Sequence, residues 1–142
     1  MTDRSASVVW HGDLLHGGGT IAKAPSGAFG PLDVTWASRA EEPDGRTSPE
    51  ELIASAWAAC FAMSLSGALA RAETPPERLE TTATVTFQPG QGIIKGALTV
   101  RGTVPGIDAD AFDAVALTAK QNCPVSKALA GIPEVTLEAT LA

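Results

Sequence analysis

Two side chains in this sequence are suited to covalent chemistry, the thiols of Cys60 and Cys123. A thiol acts as a nucleophile only as its thiolate, so the surroundings of each decide what it does. Cys123 stands between Asn122 and Pro124, where one helical pattern breaks and a short one follows. A cysteine at or near a helix N-cap meets unpaired N–H groups and the positive end of the helix dipole, and both favour a thiolate. Cys60 lies inside a helical run, where the backbone offers no such donors. Two readings stay open for it. Either a cation from elsewhere lowers its pKa, or it fills space in a core, as many free cysteines do. A zinc site built from the two cysteines with His11 and His16 lacks the short ligand spacings such sites use. No metal is therefore expected, and both histidines read as solvated residues beside turns. Gly17-Gly18-Gly19 precedes a strand and not a helix, so it is no phosphate cradle, and no cofactor is implied.

The helix that must carry Cys60 is read from Pro49 to Arg71. Ser48 can cap it, Pro49 suits its first position, and Glu50 and Glu51 complement its dipole. Glu51 also follows Ser48 at the capping-box spacing. From Leu52 to Ala70 there is no charge, and apolar residues occupy every face. Such a helix is buried in a core or crosses a membrane. Its many alanines, and flanks lacking the usual basic anchors, favour a buried helix of a soluble protein. Small residues such as Ala54, Ala58, Ala59, Ala62 and Gly67 would admit close neighbours, a second copy of the helix included. On local grounds Glu50 is a dipole-complementing residue, and Arg39 is a surface residue after a strand.

The rest of the chain reads as short strands around that helix. Residues 5–12 and TIAKA form the first two, and Leu32–Ser38 a third, with Leu32, Val34 and Trp36 on one face. Thr74-Pro75-Pro76 stops the long helix. Leu79–Gln88 and Ile93–Val104 then alternate as hairpin partners across Pro89–Gly92. Asp108 caps a helix that runs through Asn122, a short helix follows over Val125–Ala130, and Val135–Leu141 is a final strand. Strands, long helix, strands, helices and strand make an α+β fold. At 142 residues the chain is one domain, 1–142. A net charge of -6 argues against nucleic acid, which requires a basic face. No Lys or Arg run suggests a membrane surface. Residues MTDRSASVVW lack a basic region followed by an apolar run, so a cytoplasmic protein is expected.

Three motifs in order, P-E-E-L around Glu50, A-A-C-F around Cys60 and N-C-P-V-S around Cys123, resemble the osmotically inducible protein C / organic hydroperoxide resistance family. The likeness covers nearly the whole chain and is closest to the osmotically inducible branch. It implies an OsmC-like fold: a small N-terminal antiparallel meander, a long buried central helix, a second sheet with packed helices, and an intertwined homodimer with sites at its interface. It implies a cysteine-based peroxidase that reduces organic hydroperoxides, and hydrogen peroxide more weakly. Cys60 would be the peroxidatic cysteine and pass through a sulfenic acid. Cys123 would resolve it into a disulfide, and a dithiol reductant, a lipoylated protein in this family, would restore both thiols. The resemblance makes Arg39 the cation that pairs with the Cys60 thiolate and Glu50 the carboxylate that holds Arg39.

Glu50 and Cys60 are ten residues apart, ~15 Å along a straight helix, and cannot touch directly. Arg39 must bridge them, the helix must bend, or a partner chain must contribute. Trp57 departs from the family, which usually has His or Tyr there, and would make the pocket wall more apolar. No arginine follows Gly18, where the hydroperoxide-resistance branch carries its own. A rival of another class is a non-catalytic dimer that binds a small apolar ligand, a role needing neither cysteine.

Overall fold

The computed structural model describes residues 1–142. Each of the two compact units into which they fall, Met1–Leu52 and Ile53–Ala142, builds its own three-stranded sheet. In the first unit, β1 (Val8–His11), β2 (Gly18–Ile21) and β3 (Leu32–Val34) form the expected antiparallel meander in the order β1-β2-β3. Val8 pairs with Ile21, and Gly19 with Val34.

The third strand is shorter than the sequence suggested. It ends at Val34, because Thr35 and Ser38 form a reciprocal cap: the Thr35 hydroxyl accepts from the Ser38 N–H at 3.0 Å, and the Ser38 hydroxyl accepts from the Thr35 N–H at 2.9 Å. Two helix-entry donors are thereby satisfied. The next residues turn into α1 (Trp36–Ala40), so Trp36 is not on the strand face and Arg39 sits on a helical turn. The Ser38 hydroxyl also donates to the Thr47 carbonyl at 2.8 Å, and the Thr47 N–H donates to the Asp33 carbonyl at 3.0 Å. These two bonds tie the segment before the long helix back to α1 and β3.

That helix, α2 (Pro49–Arg71), has the bounds read from the sequence. Ser48 Oγ accepts from the Glu51 N–H at 3.1 Å, and the Glu51 carboxylate accepts from the Thr47 hydroxyl at 2.8 Å. By length and composition α2 is apolar enough to cross a membrane. Trp57, Phe61, Leu65 and Leu69 recur every fourth position and are wholly buried in the second unit's core. They form one stripe. Burial on every face is not found within the single chain: Ala56, Ala59 and Ala70 are exposed, and Met63 is 75% exposed. The packed elements of the second unit cover only one side of the helix.

In that unit β4 (Arg78–Gln88) and β5 (Gly92–Thr103) form the expected antiparallel hairpin, followed by α3 (Ala109–Asn122), α4 (Pro124–Ala128) and β6 (Glu134–Leu141). β6 pairs with β5 in parallel, a direction that needs the crossover α3 and α4 supply. Burial alternates along all three strands, leaving one face for the helices. Leu98 and Val100 on that face meet the α2 stripe and Phe112, Ala116 and Ala119 of α3 in one core. Two glycines let the helices approach. A Cβ on Gly96 would lie 2.8 Å from the Trp57 ring, and one on Gly102 would lie 2.6 Å from the Phe112 ring. The sheet is therefore fitted to these two aromatic side chains, and through them to the helices that carry the cysteines.

Candidate active site

The expected site residues fall into two pairs, one in each unit. In the first unit the capped turn of α1 and the entry of α2 bring Arg39 and Glu50 together. Arg39 Nε donates to Glu50 Oε1 at 3.0 Å and Oε2 at 3.2 Å, and Nη2 donates to Oε1 at 2.8 Å. The Glu50 side chain is only 7% exposed, and that of Arg39 is 32% exposed. A carboxylate this buried requires a paired cation. The fork geometry of guanidinium on carboxylate fixes the direction of the arginine as well as its charge. Glu50 is more than a dipole-complementing residue, then: it orients Arg39.

In the second unit α2 and α4 bring Cys60 and Cys123 together. Their sulfurs are 3.2 Å apart, and both are free thiols. A disulfide needs about 2.05 Å, so closing the bond requires a shift of little more than 1 Å. Cys123 is wholly buried and is the N-cap of α4, as its place before Pro124 predicted. Its Sγ accepts from the Ser126 N–H at 3.5 Å. Burial pushes the Cys123 thiol up, but hydrogen bonds from the Ser126 hydroxyl, the Ser126 N–H, Cys60 and the Val125 N–H outweigh it. The net pKa is below that of an ordinary cysteine.

Cys60 behaves oppositely. Burial pushes its pKa up, and proximity to Cys123 adds to the rise; the Val125 N–H and the Ser64 hydroxyl offset only part of it. When one of two thiols this close ionises, the other can donate to it, and the one with more donors ionises first. In the second unit that is Cys123, as helix electrostatics alone predicted.

Trp57, read as a wall of the pocket, is wholly buried. Its indole N–H donates to Ser126 Oγ at 2.8 Å. Ser126 is the residue the sequence reading passed over, although it lies inside the N-C-P-V-S motif. Its signal is positional: the third residue after an N-cap cysteine presents both a backbone and a side-chain donor to the sulfur. His11 sits on β1 and His16 in a turn where it meets Asp13, both exposed.

Comparison with known proteins places the chain in a family. The family model for "OsmC-like protein" matches residues 42–138, which include Glu50 and both cysteines. The chain is 42% identical over 132 residues to Peroxiredoxin OsmC of Escherichia coli, covering 91% of this chain and 90% of that one. It is 38% identical over 113 residues to the organic hydroperoxide resistance protein OhrA of Bacillus subtilis, covering 75% and 78%. An OsmC-like protein from Mycoplasma pneumoniae has the same fold at 14% identity, with a TM-score of 0.75 over 99% of this chain and 98% of that one. The chain belongs to the OsmC-like protein family.

Proposed function

We propose that this chain is a cysteine-based peroxidase that detoxifies organic hydroperoxides, residues 1–142 acting as one peroxidase domain. The observation that carries the proposal is the pair of free thiols with sulfurs 3.2 Å apart, in a chain 42% identical to a peroxiredoxin. In the first step the Cys60 thiolate attacks the distal peroxide oxygen, the O–O bond breaks, and the alkoxide leaves as the alcohol after taking a proton. Cys60 becomes a sulfenic acid. Cys123 then attacks the Cys60 sulfur, the S–O bond breaks, and a disulfide and water result. An external dithiol, such as the lipoyl group of a protein partner, reduces the disulfide by thiol–disulfide exchange.

The assignment of Cys60 as the peroxidatic thiol comes from family likeness and not from local acidity. Burial holds the Cys60 pKa up, so the reading requires a cation at its sulfur. Arg39, oriented by buried Glu50, is the cation assigned to that role. A guanidinium within ~4–6 Å favours the thiolate and so lowers a thiol pKa. The working form is a homodimer with sites at its interface. In its support, α2 exposes Met63 and several alanines, and β1 exposes Val8 and Val9, apolar surface that a second copy would cover. The enzyme works in the cytoplasm, where a reducing environment keeps both thiols available.

The test is stoichiometric oxidation. One equivalent of cumene hydroperoxide should consume both thiols of each chain and leave an intramolecular Cys60–Cys123 disulfide, found by mass spectrometry of unreduced peptides. Survival of both thiols under a modest excess of peroxide refutes the proposal.

A further inference from the structure

A line of hydrogen bonds starts three residues before Cys60 and ends on it. The Trp57 indole N–H donates to Ser126 Oγ at 2.8 Å. Ser126 donates from its backbone N–H to Cys123 Sγ at 3.5 Å, and its hydroxyl bonds the same sulfur. Cys123 Sγ lies 3.2 Å from Cys60 Sγ. An indole N–H can only donate, so it takes a lone pair of the Ser126 oxygen and turns the hydroxyl hydrogen toward the remaining acceptor, the Cys123 sulfur. Successive bonds in such a chain polarise one another. α4 has only five residues and cannot hold its shape by its own backbone bonds. Its direction relative to α2 is therefore set by what ties the two elements, and Trp57 is wholly buried against Gly96 of β5.

From this arrangement we infer that Trp57 and Ser126 are positioning residues for the resolving step: they hold Cys123 against Cys60 and keep a hydroxyl proton aimed at its sulfur. The inference rests on the peroxidase reading above. In that step the electron pair of the new S–S bond comes from the Cys123 thiolate. The S–O pair of the Cys60 sulfenic acid leaves with hydroxide, which takes up the proton Cys123 released and departs as water. Ser126 keeps its own proton throughout. Ser126 does not act on the peroxide, so the first step should not depend on it.

Single-turnover kinetics of the full chain with cumene hydroperoxide separate the two steps. Sulfenic acid formation is followed by trapping with a 1,3-dione, and disulfide formation by loss of the trappable species. Trp57→Phe and Ser126→Ala should each slow disulfide formation about threefold to tenfold, the effect of one hydrogen bond, and in Ser126→Ala sulfenic acid formation should stay within about twofold of the unaltered chain. The double variant should be no slower than the slower single one, because the two groups act in one chain. Ser126→Thr, which keeps the hydroxyl, should restore the rate. Should Trp57→Phe fail to fold, the contrast of Ser126→Ala with Ser126→Thr decides alone. Resolution at the unaltered rate in Ser126→Ala, or equal slowing of both steps, overturns the inference. Absence of any sulfenic acid or disulfide in the unaltered chain is a different result and overturns the peroxidase reading itself.

Discussion

Cys60 and Cys123 have sulfurs 3.2 Å apart and opposite electrostatics. Cys123 caps a helix, receives donors from Ser126 and Val125, and is acidic although it is wholly buried. Cys60 sits mid-helix, where the carbonyls of its own helix already occupy the neighbouring N–H groups, and its pKa rises. Local structure thus makes one thiol acidic for nothing more than its place in the chain. Under the proposed mechanism the other must import its charge. The division suits a two-step reaction: an acidic Cys123 is a ready nucleophile towards a sulfenic acid and a good leaving group when the disulfide is reduced. A Cys60 that ionises only beside a cation is reactive only where that cation is in place.

The largest effects should come from exchanging the sulfurs for oxygen. Cys60→Ser should abolish peroxide-dependent oxidation altogether, leaving the Cys123 thiol intact. Cys123→Ser should keep the first step and accumulate a Cys60 sulfenic acid that a dione traps. If Cys60→Ser still consumes peroxide while Cys123→Ser does not, the roles are reversed and acidity alone decides them. Next in size is Arg39→Ala, which should slow sulfenic acid formation at neutral pH by about tenfold or more, because losing the guanidinium raises the Cys60 pKa and depletes the thiolate. Glu50→Gln should do the same more weakly, by severalfold, since it loosens the arginine without removing its charge. Stopped-flow measurement of the first step checks both. Equal rates in Arg39→Ala and the unaltered chain would remove the arginine from the mechanism.

The sequence made the ends of α2 legible because caps are local: Ser48, Pro49 and the Thr74-Pro75-Pro76 stop lie within a turn of the boundaries they set. The N-cap place of Cys123 was legible for the same reason. The end of β3 was misread because Trp36 continues the strand's apolar alternation, while the Thr35–Ser38 cap that overrides it is a hydrogen-bond pattern and not a hydropathy pattern. The burial of α2 along one stripe depends on which elements pack on it, and an all-apolar helix carries no mark of that choice. The parallel pairing of β6 was equally hidden, since an alternating strand reads the same in either direction. Family likeness paired Glu50 with Arg39 where local reasoning left each to a separate, ordinary role, and the structure forms that pair as a bidentate ion pair. Ser126 escaped notice because its partner, Trp57, lies 69 residues away in the chain.

The contrast between the two thiols is tested most directly by thiolate absorbance against pH in single-cysteine chains. Cys123 in a Cys60→Ser chain should titrate below an ordinary cysteine, because the Ser126 and Val125 donors remain. Cys60 in a Cys123→Ser chain should also titrate low while Arg39 is present. With Arg39→Ala added it should titrate above an ordinary cysteine, because burial, the leading cause of its raised pKa, is then unopposed by a cation. A Cys60 midpoint that stays in place when Arg39 is removed would contradict the account.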